Sequence, residues 1–113
     1  MRPEQICQLL EGEILTTSPG GEDLQYGFAS DLMSDVLTLQ TDSMLLLTGL
    51  TTLQAVRTAE MSDIPCIIFV RGKKVPQAVR QLASDNAITL ISTPFSMFRA
   101  SGLLFEAGLK PIF

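Results

Sequence analysis

The sequence predicts an α/β fold: one domain over residues 1–113, with a mostly parallel sheet flanked by helices and built from successive strand–helix units. Three observations predict it. Apolar residues gather in short continuous blocks, "MLLLT", "CIIFV" and "AITLIS"; blocks that do not alternate with polar residues mark parallel strands covered on both faces. Each block runs into a turn of Gly, Pro, Ser or Thr and then a stretch with helical spacing. A chain of 113 residues with 46% apolar side chains can build one sizeable core but not two independent ones.

The elements follow in order. Pro3 and Glu4 suit the first turn of a short helix whose apolar face is Ile6, Leu9 and Leu10, with Gly12 as its stop. "EILTT" reads as a strand, "SPGGED" (18–23) as an exposed turn, and "LQYGFAS" as a second strand. Asp31 is placed to cap a helix that begins "LMSDVL". From residue 44 the pattern is β-α-β-α-β-α. The strand "MLLLTG" leads to the helix "TTLQAVRTAEM", and after the turn "SDIP" the strand "CIIFVRG" leads to a helix within "KKVPQAVRQLASDN", with Pro76 in its first turn. The strand "AITLIST" leads to the helix "PFSMFRASGLLFEAG", closed by Gly102 or Gly108.

Part of this region repeats. "LLTGLTTLQAVRTAEMSD" from Leu46 aligns with "FVRGKKVPQAVRQLASDN" from Phe69 at a shift of 23 residues, which superposes Gly49 on Gly72 and one "QAVR" on another. The repeat implies that the Gly49 turn is a form used twice, and so one that architecture alone can explain.

Composition excludes several functions. The net charge is −4, which disfavours nucleic acid as a partner. There is no histidine, the commonest acid–base group and metal ligand. Cys7 and Cys66 are far apart and form no CxxC pair, so two reduced, buried thiols are expected. The N-terminus lacks a secretory apolar run, and no apolar block is long enough to span a bilayer. A cytoplasmic protein without a membrane partner is expected. The acidic pairs Glu60/Asp63, Glu22/Asp23 and Asp31/Asp35 make no convincing metal centre, and no nucleophile stands beside an evident base. The expectation is a non-enzyme with no cofactor and no metal.

The candidate ligand-binding residues lie in three strand-end turns. At the first, Thr48, Gly49, Thr51 and Thr52 precede a helix, whose N-terminus offers unpaired N–H groups and the positive end of its dipole. Neither GxxxxGK[ST] nor GxGxxG is present, and one glycine with two threonines is equally what a plain capped helix needs. The second turn, "VRGKKV", holds Arg71, Lys73 and Lys74, three of the eight basic residues. If its strand neighbours the first, these charges come close to Thr51 and make a phosphate-facing rim. The third turn supplies Ser92, Thr93 and Ser96, which helix capping also explains. The large apolar content of "MFRASGLLFEAGLKPIF" exceeds what one helix needs in a small core, and points to a homodimer contact.

The blocks "GEILT" (12–16), "ASDLMSDVL" (29–37), "LLLTGL" (45–50), "VRTAEMSDIPCIIFVRGK" (56–73) and "MFRASGLLFEAG" (97–108) give the chain a resemblance to the DRTGG domain family. It is similar in particular to small stand-alone proteins related to the non-kinase region of HPr serine kinase/phosphorylase. At the position of the namesake motif the chain has Thr48, Gly49, Leu50, Thr51 and Thr52. The resemblance implies a regulatory or assembly role beside catalytic or nucleotide-sensing domains, without kinase activity, since the kinase resides in a separate P-loop domain. The expected function is therefore a non-catalytic regulatory domain that self-associates or docks on a partner enzyme. The alternative is a sensor that binds a nucleotide or other phosphate-bearing ligand near Gly49 and Gly72.

Overall fold

The computed structural model describes residues 1–18 and 23–113. The turn expected over 18–23 lies mostly outside them, as does Glu22 of one acidic pair. The chain runs α1 (Pro3–Leu10), β1 (Glu13–Thr16), β2 (Tyr26–Ala29), α2 (Met33–Val36), β3 (Met44–Thr48), α3 (Leu53–Met61), β4 (Cys66–Phe69), α4 (Gln77–Asp85), β5 (Thr89–Ser92), α5 (Met97–Glu106) and β6 (Lys110–Pro111). The strands form one sheet in the order β1-β5-β4-β3-β2-β6. Only β1 is antiparallel, on β5.

The apolar strand blocks divide between two cores because successive side chains point to opposite faces. Met44, Leu46, Ile67, Phe69 and Leu90 pack with Val56 of α3 and Val79 of α4. Leu45, Leu47, Cys66, Ile68 and Ile91 pack with Ile6 of α1 and Leu104 of α5. The result is a three-layer sandwich with α2, α3 and α4 on one face and α1 and α5 on the other. Chain path explains the division. Strands β2 to β5 advance in one direction across the sheet, and right-handed crossovers keep their helices on one face. The connection from β5 returns to β6 at the far edge, so the same handedness puts α5 on the opposite face.

Local expectations needed correction at several points. Helix α1 ends on Glu11, which takes the left-handed conformation (φ 49°). Gly12 is required by close packing instead, because a Cβ there would lie 2.9 Å from the Ser92 carbonyl oxygen. Asp31 does not cap α2: the cap position is Leu32, with no side-chain bond, and Ser30 Oγ accepts from Leu32 N–H at 3.0 Å. Pro76 precedes α4 at its cap position. Of the two glycines proposed to close α5, Gly108 (φ 108°) follows the helix and Gly102 lies within it. Strand β6 was not anticipated. Among the described residues no helix is long and apolar enough to cross a membrane.

Candidate functional site

The parallel strands deliver four turns to one edge of the sheet. The registers Ala29↔Leu47, Thr48↔Phe69 and Phe69↔Ser92 set the ends of β2, β3, β4 and β5 side by side. This edge gathers Asp31, Thr48, Gly49, Arg71, Lys73 and Thr93.

Asp31 is the residue that sequence reasoning missed here. Its exposed carboxylate takes a hydrogen bond from Gly49 N–H at 2.6 Å and another from the Thr48 hydroxyl at 2.9 Å. Thr48 Oγ1 in turn accepts from Leu50 N–H at 3.2 Å. Lys73 Nζ donates to the Gly49 carbonyl at 2.6 Å. Gly49 thus has a side chain on each of its backbone polar groups, and a Cβ there would sit 3.4 Å from both Asp31 Oδ2 and Lys73 Nζ. The bond from Gly49 N–H is the main cause that holds the Asp31 carboxyl below its usual range; partial burial opposes it, and the Thr48 hydroxyl and the charges of Lys73 and Arg71 assist. An anion therefore does occupy the donors of this turn, and it belongs to the protein. The local sequence hid it, since "SDLMSDVL" reads as a capped helix until β2 is known to lie beside β3.

The two turns of the repeat differ in backbone. Arg71 and Gly72 are both left-handed, at φ 68° and 63°, whereas Gly49 has no positive φ. The repeat in letters is not a repeat in turn geometry. Arg71 is exposed and makes no ion pair among the described residues.

The adjacent strands β4 and β5 form the switch point of the sheet, because their following turns lead to helices on opposite faces. Ligands of open α/β sheets favour such a crevice. Here it is stitched shut: Arg71 N–H donates to the Phe95 carbonyl at 2.8 Å and Gly72 N–H to the Thr93 carbonyl at 2.9 Å. The buried Thr93 hydroxyl donates to the Leu10 carbonyl at 2.7 Å and accepts from Phe95 N–H at 3.2 Å. Its hydrogen-bonding capacity is engaged in tying α1 and the β5–α5 turn together.

Thr52 caps α3, accepting from Ala55 N–H at 3.3 Å, and Ser96 caps α5, accepting from Arg99 N–H at 3.1 Å. Thr51 is half-buried, with no side-chain hydrogen bond among the described residues. The surface left open at the edge is therefore Thr52 with half-buried Thr51 beside it, the exposed flank of Asp31, and the Arg71 and Lys74 side chains. Among the described residues no group of three or more Cys, Asp or Glu side chains is arranged to hold a metal ion. An apolar cleft of about 170 Å³ lies beside this edge, between α5 and the β2–β6 margin.

No protein-family model and no curated protein matches the chain. Among solved structures it is similar to the CBS and DRTGG domains of the regulatory region of Clostridium perfringens pyrophosphatase, solved in complex with its activator, diadenosine tetraphosphate. The TM-score is 0.75 at 18% sequence identity, over 95% of this chain and 47% of that one. The chain thus spans about half the length of that structure, and the likeness establishes its fold: an α/β domain of the type found in that regulatory region.

Proposed function

We propose that the chain is a DRTGG-like regulatory or assembly domain, acting as one unit over residues 1–113, that self-associates or docks on a partner enzyme in the cytoplasm and performs no chemistry of its own. Kinship with the non-kinase region of HPr serine kinase/phosphorylase belongs to this reading. One observation carries it: the outward stripe of α5 holds Phe98 at 91% and Phe105 at 66% exposure. Two aromatic side chains on one helix face are a large unburied area for a protein of this size. Sedimentation velocity across a concentration series tests self-association, with a concentration-dependent dimer as the expected result; a monomer throughout counts against it. Incubation with labelled ATP and HPr is expected to transfer no phosphate.

A second reading, a nucleotide or phosphate sensor at the strand-end edge, is favoured by Arg71. Its left-handed backbone would suit glycine better, yet the position carries an exposed guanidinium beside Asp31, Gly49 and Lys73. The pyrophosphatase region of like fold was solved with a dinucleotide activator. The residues proposed for contact are Thr48, Gly49, Thr51, Thr52, Arg71, Lys73 and Thr93, with Thr52 and Arg71 the most open. Calorimetry against AMP, ADP, ATP and diadenosine tetraphosphate tests it. The Arg71→Ala/Lys73→Ala double variant is expected to lose at least about tenfold in affinity; unchanged binding removes the site.

A further inference from the structure

The two faces of the sheet are not equally covered. Six strands at about 4.8 Å spacing make a surface about 24 Å across, and a packed helix spans about 10 Å of it. The face over Leu46 and Ile67 carries three helices, one of them the single turn of α2. The opposite face has two. Helix α1 packs against β1 and β5, and α5 against β3. The strip over β2 and β6 on this face lacks a helix.

That strip is the apolar cleft of about 170 Å³. Its floor is small, with Ala29 of β2 and with Gly27, over which the Leu109 side chain is seated, 2.7 Å from where a Cβ would stand. One wall is Ser101, Leu104 and Phe105 of α5, and Pro111 of β6 is on the other side. The exposed stripe of α5 runs beside it through Phe98, Gly102 and Phe105, at spacings of four and three residues on one helix face. Nothing lies within 4 Å of a Cβ built on Gly102, so the middle of the stripe allows close approach. A shallow apolar berth and an uncovered helix face therefore adjoin on one surface.

We infer that a second copy of this chain closes the berth, with the two α5 helices antiparallel about a two-fold axis near Gly102. Each protomer then sets its Phe98 opposite the partner's Phe105, at the mouth of the cleft that Phe105 lines. This rests on the self-association reading and names the surface it uses. A patch that carries both projection and recess is what an isologous contact requires. Charge fits the antiparallel sense, since residues 99 and 106 lie about equally far from 102 on either side. Arg99 of one copy meets the partner's Glu106, and the reverse pair repeats the contact. The two exposed phenylalanines bring about 300 Å² per protomer, about 600 Å² in total, on the scale of a weak, concentration-dependent contact.

Sedimentation velocity of the full chain from about 1 to 300 µM tests this against two variants. Phe98→Ala/Phe105→Ala removes the projections and touches only exposed side chains, so folding is preserved. Ala29→Arg fills the berth from its floor without altering α5. Each is expected to raise the dimer dissociation constant by at least about tenfold. A Gly102→Cys variant is expected to give a covalent dimer with a short bis-maleimide, against a wild-type control that contains only Cys7 and Cys66. If the wild type is monomeric throughout, both the inference and the self-association reading are overturned. If the wild type dimerises, both variants dimerise as tightly and Gly102→Cys does not cross-link, the inference alone is overturned and self-association stands on another surface.

Discussion

Asp31 joins the β2 and β3 turns through a charge-assisted pair of bonds. Asp31→Ala is expected to lower the unfolding free energy by about 1 kcal/mol at neutral pH, the exposure of the carboxylate keeping the loss modest. The pH dependence has a definite sign. The folded-state pKa is lowered, so the contribution is complete above the ordinary Asp value and is lost as pH falls through the folded value. Urea titrations of wild type and variant should therefore differ most near neutrality and converge well below about pH 3.9. Arg71 allows a different test. Arg71→Gly relieves a left-handed backbone and is expected to leave thermal stability within about 0.5 kcal/mol of wild type. On the sensor reading it nevertheless weakens nucleotide binding, so binding and melting temperature measured together separate a ligand role from a structural one.

At the scale of elements, helix starts were legible and helix stops less so. Threonines before "LQAVR" announced α3, and the structure assigns the cap to the second of them. Thr52→Ala is expected to cost about 1 kcal/mol in chemical denaturation, and Thr51→Ala no more than about 0.5 kcal/mol. Equal losses at the two positions would contradict that assignment. The stop of α1 misled because Gly12 looks like a terminator, whereas Glu11 takes the left-handed position and Gly12 is kept by the nearby Ser92 carbonyl. A contact across 80 positions of sequence leaves no local trace. Strand β6 escaped for a related reason: two residues, one of them Pro111, carry no period, and only their pairing with Tyr26 and Gly27 makes them a strand.

For the whole molecule, the two cores share one sheet, since alternate residues of β3 and β4 enter opposite layers. Loss of either layer removes the support of the other. Leu46→Ala on one face and Ile68→Ala on the other are each expected to cost about 2–5 kcal/mol. Both variants should unfold in one cooperative transition, monitored by far-ultraviolet circular dichroism and by fluorescence of Tyr26, the single tyrosine. Separate transitions by the two probes would mean that the layers fold independently.

The order of strands and helices from β3 to α5 was determined by sequence alone, because a buried parallel strand must be apolar throughout and a helix must follow it to reach the next. The candidate edge was also foreseeable, since turns after parallel strands share one side of the sheet. What those turns do there was decided only in three dimensions. The Thr48–Gly49 turn looked like an anion grip, and folding supplies the anion from Asp31, seventeen positions away. The berth beside α5 is likewise invisible in the letters: it exists because one chain covers six strands with three helices on one face and two on the other. Periodicity is a property of neighbours in sequence. The pairing of turns and the coverage of a sheet depend on which distant segments the crossovers bring together.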